Sequence, residues 1–282
     1  MVKAMTRVRV CLLVAGIALL ATTICVQEVG ATGATTSVRV AKYADDGETV
    51  LLETTVSYEW MEANLPVQGD GVTLYYHQGP VFEGDMWDPD ETVNLKDKGA
   101  VKGTDIKDLC ELVGGMSPGE EVMLRAVDGY HLELAYVNVY EPSDRQGPVA
   151  LCWYKAEEPG KGYGWGYPGN DAYNNAMQIV FMAKTTNRDG KHVFGNSDML
   201  VCLPDEEYQH FYEGYPSTNG LSGKWISEVL IYSGEPPAAP DGSPEPSTDS
   251  ASVPWVVVGL GVAGIVLLGS GGYFLMRMRA AK

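Results

Sequence analysis

Cysteine, histidine and basic residues are all scarce in this chain. Of its five cysteines, Cys11 and Cys25 fall in the N-terminal apolar run, which leaves Cys110, Cys152 and Cys202, with no C-x-x-C pair among them. The four histidines, His77, His131, His192 and His210, show no H-x-x-x-H or H-E-x-x-H spacing. A zinc centre of local ligand spacing is thereby excluded. No G-x-S-x-G, P-loop or dinucleotide glycine fingerprint occurs either, so the corresponding hydrolase and nucleotide chemistries have no sequence support. Lysine and arginine together number 20 against 37 acidic residues, for a formal charge of −17. Six of those 20 stand at the two ends (Lys3, Arg7, Arg9, Arg277, Arg279, Lys282), so the span 35–276 holds 14 basic and 36 acidic residues, a net of −22. Such a surface repels phosphate backbones and excludes nucleic acid as a partner. Long helical periodicity is absent too. With 33 glycines, 16 prolines and plentiful tyrosine and threonine, the composition favours a β-rich fold with many turns.

Long apolar runs occur only at the ends. Lys3, Arg7 and Arg9 precede the run Val10 to Val26, and small residues follow at Gly30-Ala31 and Gly33-Ala34. That order predicts a secretory signal peptide over 1–34, with cleavage between 31 and 35. Trp255 to Met276 is 22 residues without a charge. At 1.5 Å per residue it is long enough to span about 30 Å of hydrocarbon. Arg277, Arg279 and Lys282 mark the cytoplasmic side as a basic tail over 277–282, and Trp255 and Tyr273 suit the two interfaces. Between domain and span, 235–254 is rich in proline, serine and acidic residues and reads as a semi-extended stalk. The expected arrangement is a single-pass protein of the cell membrane with an extracytoplasmic N-terminal domain.

Within that domain the stretch Gly103 to Leu134 organises the rest. Thr104 or Asp105 can cap a helix on which Ile106, Leu109, Cys110 and Val113 recur at i, i+3, i+4 and i+7. Gly114-Gly115 ends it and Ser117-Pro118-Gly119 turns the chain. Val122 to Ala126 reads as a buried strand, Asp128-Gly129 as a two-residue hairpin turn, and Tyr130 to Leu134 as the return strand. Further strands are predicted at 38–40, 50–56, 72–77, 149–154, 177–183 and 226–232. A helical turn is expected at Tyr58–Glu62, and loops at 79–91, 138–146 and 157–175. The class is α+β, a β-rich mixed-sheet domain.

The helix with its G-x-x-[IL]-x-x-L spacing, the following strand and the A-x-DGY hairpin together resemble the sulfite-oxidase-type molybdopterin-binding domain. Pro148-Val149-Ala150-Leu151, Met177 to Phe181 and the closing Ser222-Gly223-Lys224-Trp225-Ile226 segment resemble later parts of that family in the same order. The likeness divides the ectodomain into an N-terminal β-rich part over 35–92 and a sulfite-oxidase-like core over 93–234. It implies oxidoreductase descent, with molybdopterin as cofactor and Ser222, Gly223 and Lys224 as the loop that meets it. In that family a cysteine ligand stands in the loop before the helix. Here the matching stretch, 94–102, has none, which favours a ligand-binding or surface-interaction role over a molybdopterin oxidoreductase with an atypical ligand set. A purely structural surface module is the third reading.

Other candidates come from the residues themselves. His77 enters a Gly-Pro loop from a strand end and can line a pocket for a cofactor, or simply serve as a hydrogen-bonding residue. Asp85, Asp88 and Asp90, with Glu91, are close enough in one loop to gather around Ca²⁺, against the plainer reading of a solvated acidic loop. Cys110, Cys152 and Cys202 allow one bridge with a thiol left over, or three free thiols. Aromatic residues in two loops (Tyr163 to Tyr173, Tyr208 to Tyr215) can stack on a planar ligand or pack the loops onto the sheet.

Overall fold

Alternating β-branched residues on either side of Asp45-Asp46-Gly47 make an opening hairpin. The computed structural model describes residues 35–158, 164–169, 176–203 and 205–233. In it β1 (Ser37–Tyr43) and β2 (Val50–Ser57) pair antiparallel, and Asp46 Oδ1 accepts the N–H groups of Glu48 and Thr49 at 2.9 and 2.8 Å to fix the turn. Ser57 caps α1 (Tyr58–Asn64), its Oγ accepting from Trp60 N–H at 3.3 Å. Leu65 ends the helix in an extended conformation, as the following proline requires. Then come β3 (Val67–Gln68), β4 (Leu74–Gln78) and β5 (Leu95–Asp105).

Asp105 caps α2 (Ile106–Glu111) through Lys107 N–H at 3.1 Å. Gly114 and Gly115 follow at φ 92° and 72°, the left-handed geometry that stops a helix at little cost only in glycine. β6 (Glu121–Ala126), β7 (His131–Ala135), α3 (Tyr136–Tyr140), β8 (Val149–Lys155), β9 (Gln178–Phe181) and β10 (His192–Phe194) continue the chain. α4 (Asn196–Cys202), β11 (Phe211–Tyr212), β12 (Tyr215–Pro216), a 3-10 turn (Thr218–Leu221) and β13 (Ile226–Tyr232) complete it.

Two mixed sheets carry most of these elements, and β11 pairs with β12 in a separate antiparallel ribbon. The first runs β2-β1-β13-β6-β7 and is antiparallel except where β1 meets β13. The second runs β10-β4-β5-β8-β9, with β3 also on β5, and is antiparallel except for β10 with β4. The α+β class and β-rich character are as predicted. α2 lies against β1 and β13 of the first sheet and against β5 and β8 of the second. Its Ile106, Leu109 and Cys110 are fully buried, so the stretch singled out by periodicity joins the two sheets. Each such aliphatic side chain contributes roughly 1.5–3 kcal/mol by leaving water. On either side the core continues as Ala41, Met123, Leu230 and Tyr232 in one sheet and Val101, Ala150, Cys152, Val180 and Met182 in the other.

Three local expectations are corrected. The hairpin turn is longer than two residues, because Arg125 and His131 are its last paired positions and Val127 N–H donates instead to Trp225 O at 3.1 Å. At the tip, Asp128 Oδ1 accepts from Tyr130 N–H at 3.1 Å. The stretch 94–102, matched to a ligand loop, is nearly all strand. β4 and β8 take up its backbone on both edges despite its lysines and glycine. Residues 136–140 form a short helix just before and into the predicted loop. No helix among the described residues is long and apolar enough to cross a membrane. The predicted signal peptide, stalk, membrane span and basic tail lie outside the described residues.

Candidate functional site

Four of the few basic residues, Lys96, Lys98, Lys155 and Lys224, act on one another at one place. In the ladder of β4 with β5, Tyr75 faces Gly99 and Tyr76 faces Asp97, so Lys98 is the extra residue of a β-bulge. A bulge turns a side chain out of the regular alternation. Lys98 is partly buried, and its Nζ donates to Asn219 Oδ1 at 2.7 Å on the 3-10 turn. Its charge is opposed by Lys224 from the segment before β13, by Lys155 from β8 and by Lys96 from its own strand, and supported by Asp97. Burial first, and these like charges next, push its pKa down from 10.5 to about 7. Lys155 is held by Glu158 at 2.5 Å and lies flat across Gly99. That glycine has φ 91°, and a Cβ there would stand 2.2 Å from Lys155 Cε, so the crossing needs glycine. Gln178 closes the edge by donating to Lys98 O at 3.3 Å. A cleft of about 20 Å³ beside it is lined by Tyr154, Lys155, Gly166 and Gln178 among others, which is room for one or two water molecules.

The turn that presents Asn219 is anchored in a buried polar network. Thr218 Oγ1 donates to Phe194 O at 2.6 Å and accepts from Gln78 N–H at 2.8 Å. Thr218 O takes the His77 Nδ1 proton at 3.1 Å, while His77 Nε2 accepts from Phe181 N–H at 3.1 Å. The tautomer is thus fixed by its partners. His77 is wholly buried and meets Phe181 and Phe194 edge-on, those two rings being stacked on each other at 4.6 Å. Burial, and then the charge of Lys98, hold it neutral by moving its pKa well below the usual histidine value. It does not line the cleft beside Lys155; its role is to brace the turn.

A second charged group lies at the start of α4. Arg145 Nε is hydrogen-bonded to Asp198 Oδ1, and its Nη2 stands 3.6 Å from Glu91 Oε1. Glu91 Oε1 also accepts from Asp198 N–H at 3.2 Å. Burial and the proximity of Asp198 raise the Glu91 pKa well above the carboxylate range, and burial raises that of Asp198. Cys202, one turn further on, meets Ser143 Oγ at 3.2 Å.

The acidic loop does not gather around a cation. Asp85 caps Trp87 N–H at 3.0 Å, Asp88 turns inward to accept from Gln78, Thr92 and Val93, and Asp90 pairs with Arg188 at 2.9 Å. Each carboxylate has found a different donor, and among the described residues no three His, Cys, Asp or Glu side chains form a metal-holding group. Cys110, Cys152 and Cys202 are all free thiols. Burial drives the first two pKa values far up, so they are inert core residues. The aromatic loops pack: Phe82 meets Tyr215 at 5.0 Å, Trp87 meets Phe211 at 6.1 Å, and Tyr167 stacks on Tyr58 and Trp153. Tyr163 and Tyr173 lie outside the described residues.

Of the residues carried by the family resemblance, Lys224 joins the Lys98 cluster, while Ser222 and Gly223 serve the sheet. Ser222 Oγ donates to Ile179 O at 2.5 Å, Gly223 O accepts from Ile179 N–H at 2.9 Å, and Lys224 makes a backbone bridge to Gln178. The cleft beside Lys155, at about 20 Å³, has no room for a pterin ring, and the Ser222 hydroxyl is already engaged by Ile179 O. Sequence reasoning passed over Lys98, Lys155, Gln178 and Asn219. The available signal was a density of lysine at 96, 98, 102 and 107 in a chain otherwise poor in it. No protein-family model matches this chain, and no curated protein matches it.

Proposed function

We propose that this is a membrane-tethered, extracytoplasmic binding module that holds a small anion at the cluster of Lys96, Lys98, Lys155 and Lys224. The observation that carries the reading is the cluster itself. Four lysines from three parts of the chain act on one another there, with Lys155 also paired to Glu158 and Lys98 bonded to Asn219. Like charges cost free energy when collected on a fold, and a bound carboxylate or phosphate offsets that cost. The lipid tether rests on the apolar run 255–276 and the stalk 235–254. The resemblance to sulfite-oxidase-type domains then bears on ancestry of the fold, with the redox role lost along with the cysteine.

Inorganic phosphate tests this. Titrated into the full-length chain in detergent micelles, it should bind saturably, with affinity falling as salt is raised. The double variant Lys155→Gln/Lys224→Gln should weaken it at least tenfold. Binding that never saturates, or that ignores both substitutions, would sink the proposal.

A further inference from the structure

The outer edge of β2 is open among the described residues. The strand ends the first sheet, and β1 is the one strand paired with it there. Tyr58 N–H donates to Thr36 O at 3.0 Å in the register of that ladder, so Val56, Thr54 and Leu52 are its hydrogen-bonded positions. Glu53, Thr55 and Ser57 lie between them and turn their backbone N–H and C=O groups away from β1. Such a row is a template for one more strand. The usual guards are missing. Leu52 to Ser57 holds no proline and no lysine, and the irregularity of the ladder falls beside Leu51, at the turn end. Leu51 and Leu52 stand 55% and 56% exposed there.

Charge decides what fits this edge. Glu53 on β2, Arg39 on β1, Glu228 on β13 and Arg125 on β6 form a row of alternating sign across four strands. Arg39 Nη1 stands 3.3 Å from Glu228 Oε1, and Arg125 Nε donates to Glu228 Oε2 at 2.5 Å. Arg39 meets Glu53 through Nε at 2.9 Å and Nη2 at 2.7 Å, and both reach Oε2. Oε1 of Glu53 is thus left to face solvent, on a side chain that is 55% exposed. The next place in the row calls for a cation. The β2 edge of a second copy offers none, and the span 35–276, with its net charge of −22, repels its like. We propose that β2 docks an extended segment of another protein by strand addition, with an arginine or lysine of that segment set against Glu53. Backbone bonds to Glu53, Thr55 and Ser57 supply the hold, and the ion pair sets the register. The edge is separate from the anion site, whose lysines stand on the second sheet and before β13.

Two fluorescent peptides serve as probes, each alternating threonine and valine and differing only in a central arginine or glutamate. Anisotropy with the full-length chain in micelles should show saturable binding of the arginine peptide, at least tenfold tighter than that of its glutamate twin. N-methylation of every second residue, the arginine included, should remove binding, because it deletes the donors that an added strand supplies. Glu53→Lys should reverse the preference between the two peptides. Thr55→Pro deletes an outward N–H at a place where an edge strand tolerates proline, and should weaken binding at least tenfold with the circular dichroism unchanged. Should that variant unfold, the reversal by Glu53→Lys still decides. No saturable binding at millimolar peptide, equal binding of the two peptides, or binding that survives N-methylation would overturn the proposal. So would a wild-type chain that is dimeric in micelles and monomeric as Thr55→Pro, which assigns the edge to a second copy.

Discussion

Glu91 and Asp198 share one proton's worth of space under Arg145, and the sign of the consequence is fixed. A carboxyl whose pKa is raised on folding keeps a proton that the unfolded chain has already released, so folding loses free energy as pH rises above the ordinary carboxylate range. The penalty is absent in acid, where both states are protonated. Glu91→Gln keeps an oxygen for Asp198 N–H and removes the competing carboxyl, leaving the Asp198 side chain to Arg145 and Gly195 N–H. The variant should match the wild type near pH 4 and exceed it increasingly toward pH 8, by at most about 1.4 kcal/mol per pH unit. Denaturant midpoints across that range would show it, and a constant offset would mean that shape, not charge, governs the site.

α2 shows which parts of the fold could be read from residues. Its cap, apolar face and glycine stop are local features, so Asp105, Ile106, Leu109, Cys110 and Gly114 stood out in advance and lie where periodicity put them. Leu109, wholly buried between the sheets, should cost roughly 2–5 kcal/mol when cut to alanine, measured as a shift in unfolding free energy. β5 shows the opposite. Its lysines, aspartates and glycine have weak strand preference, and only the partners β4 and β8, distant in sequence, make it a strand. The bulge at Lys98 depends on that pairing and leaves no local mark. The same holds for Asn219, which reaches Lys98 across 121 positions of sequence. Asp85, Asp88 and Asp90 are close in the chain, yet each turns to its own backbone or arginine donor, which proximity in sequence does not reveal.

For the whole molecule, the tether is a separable prediction. A chain ending at residue 254 lacks the 22-residue apolar run and should be released into the medium with its fold intact. Immunoblots of medium and membrane fractions would settle it, and retention of the truncated chain on the membrane would count against a C-terminal anchor. Folding of the released form should be unchanged, since β13 is completed at Tyr232 and is paired on both sides.

The parallel ladder of β1 with β13 has a mechanical consequence. β1 is the first strand of the described chain and β13 the last, and their pairing runs from Arg39 with Glu228 to Lys42 with Ile231. Because the strands are parallel, the chain enters the ladder at one end and leaves it at the other. A pull between a grip near residue 37 and an anchor beyond residue 232 therefore loads all the cross-strand bonds together, in shear, instead of opening them one after another. A domain pulled in that direction would resist as a rivet does, and give way as a whole.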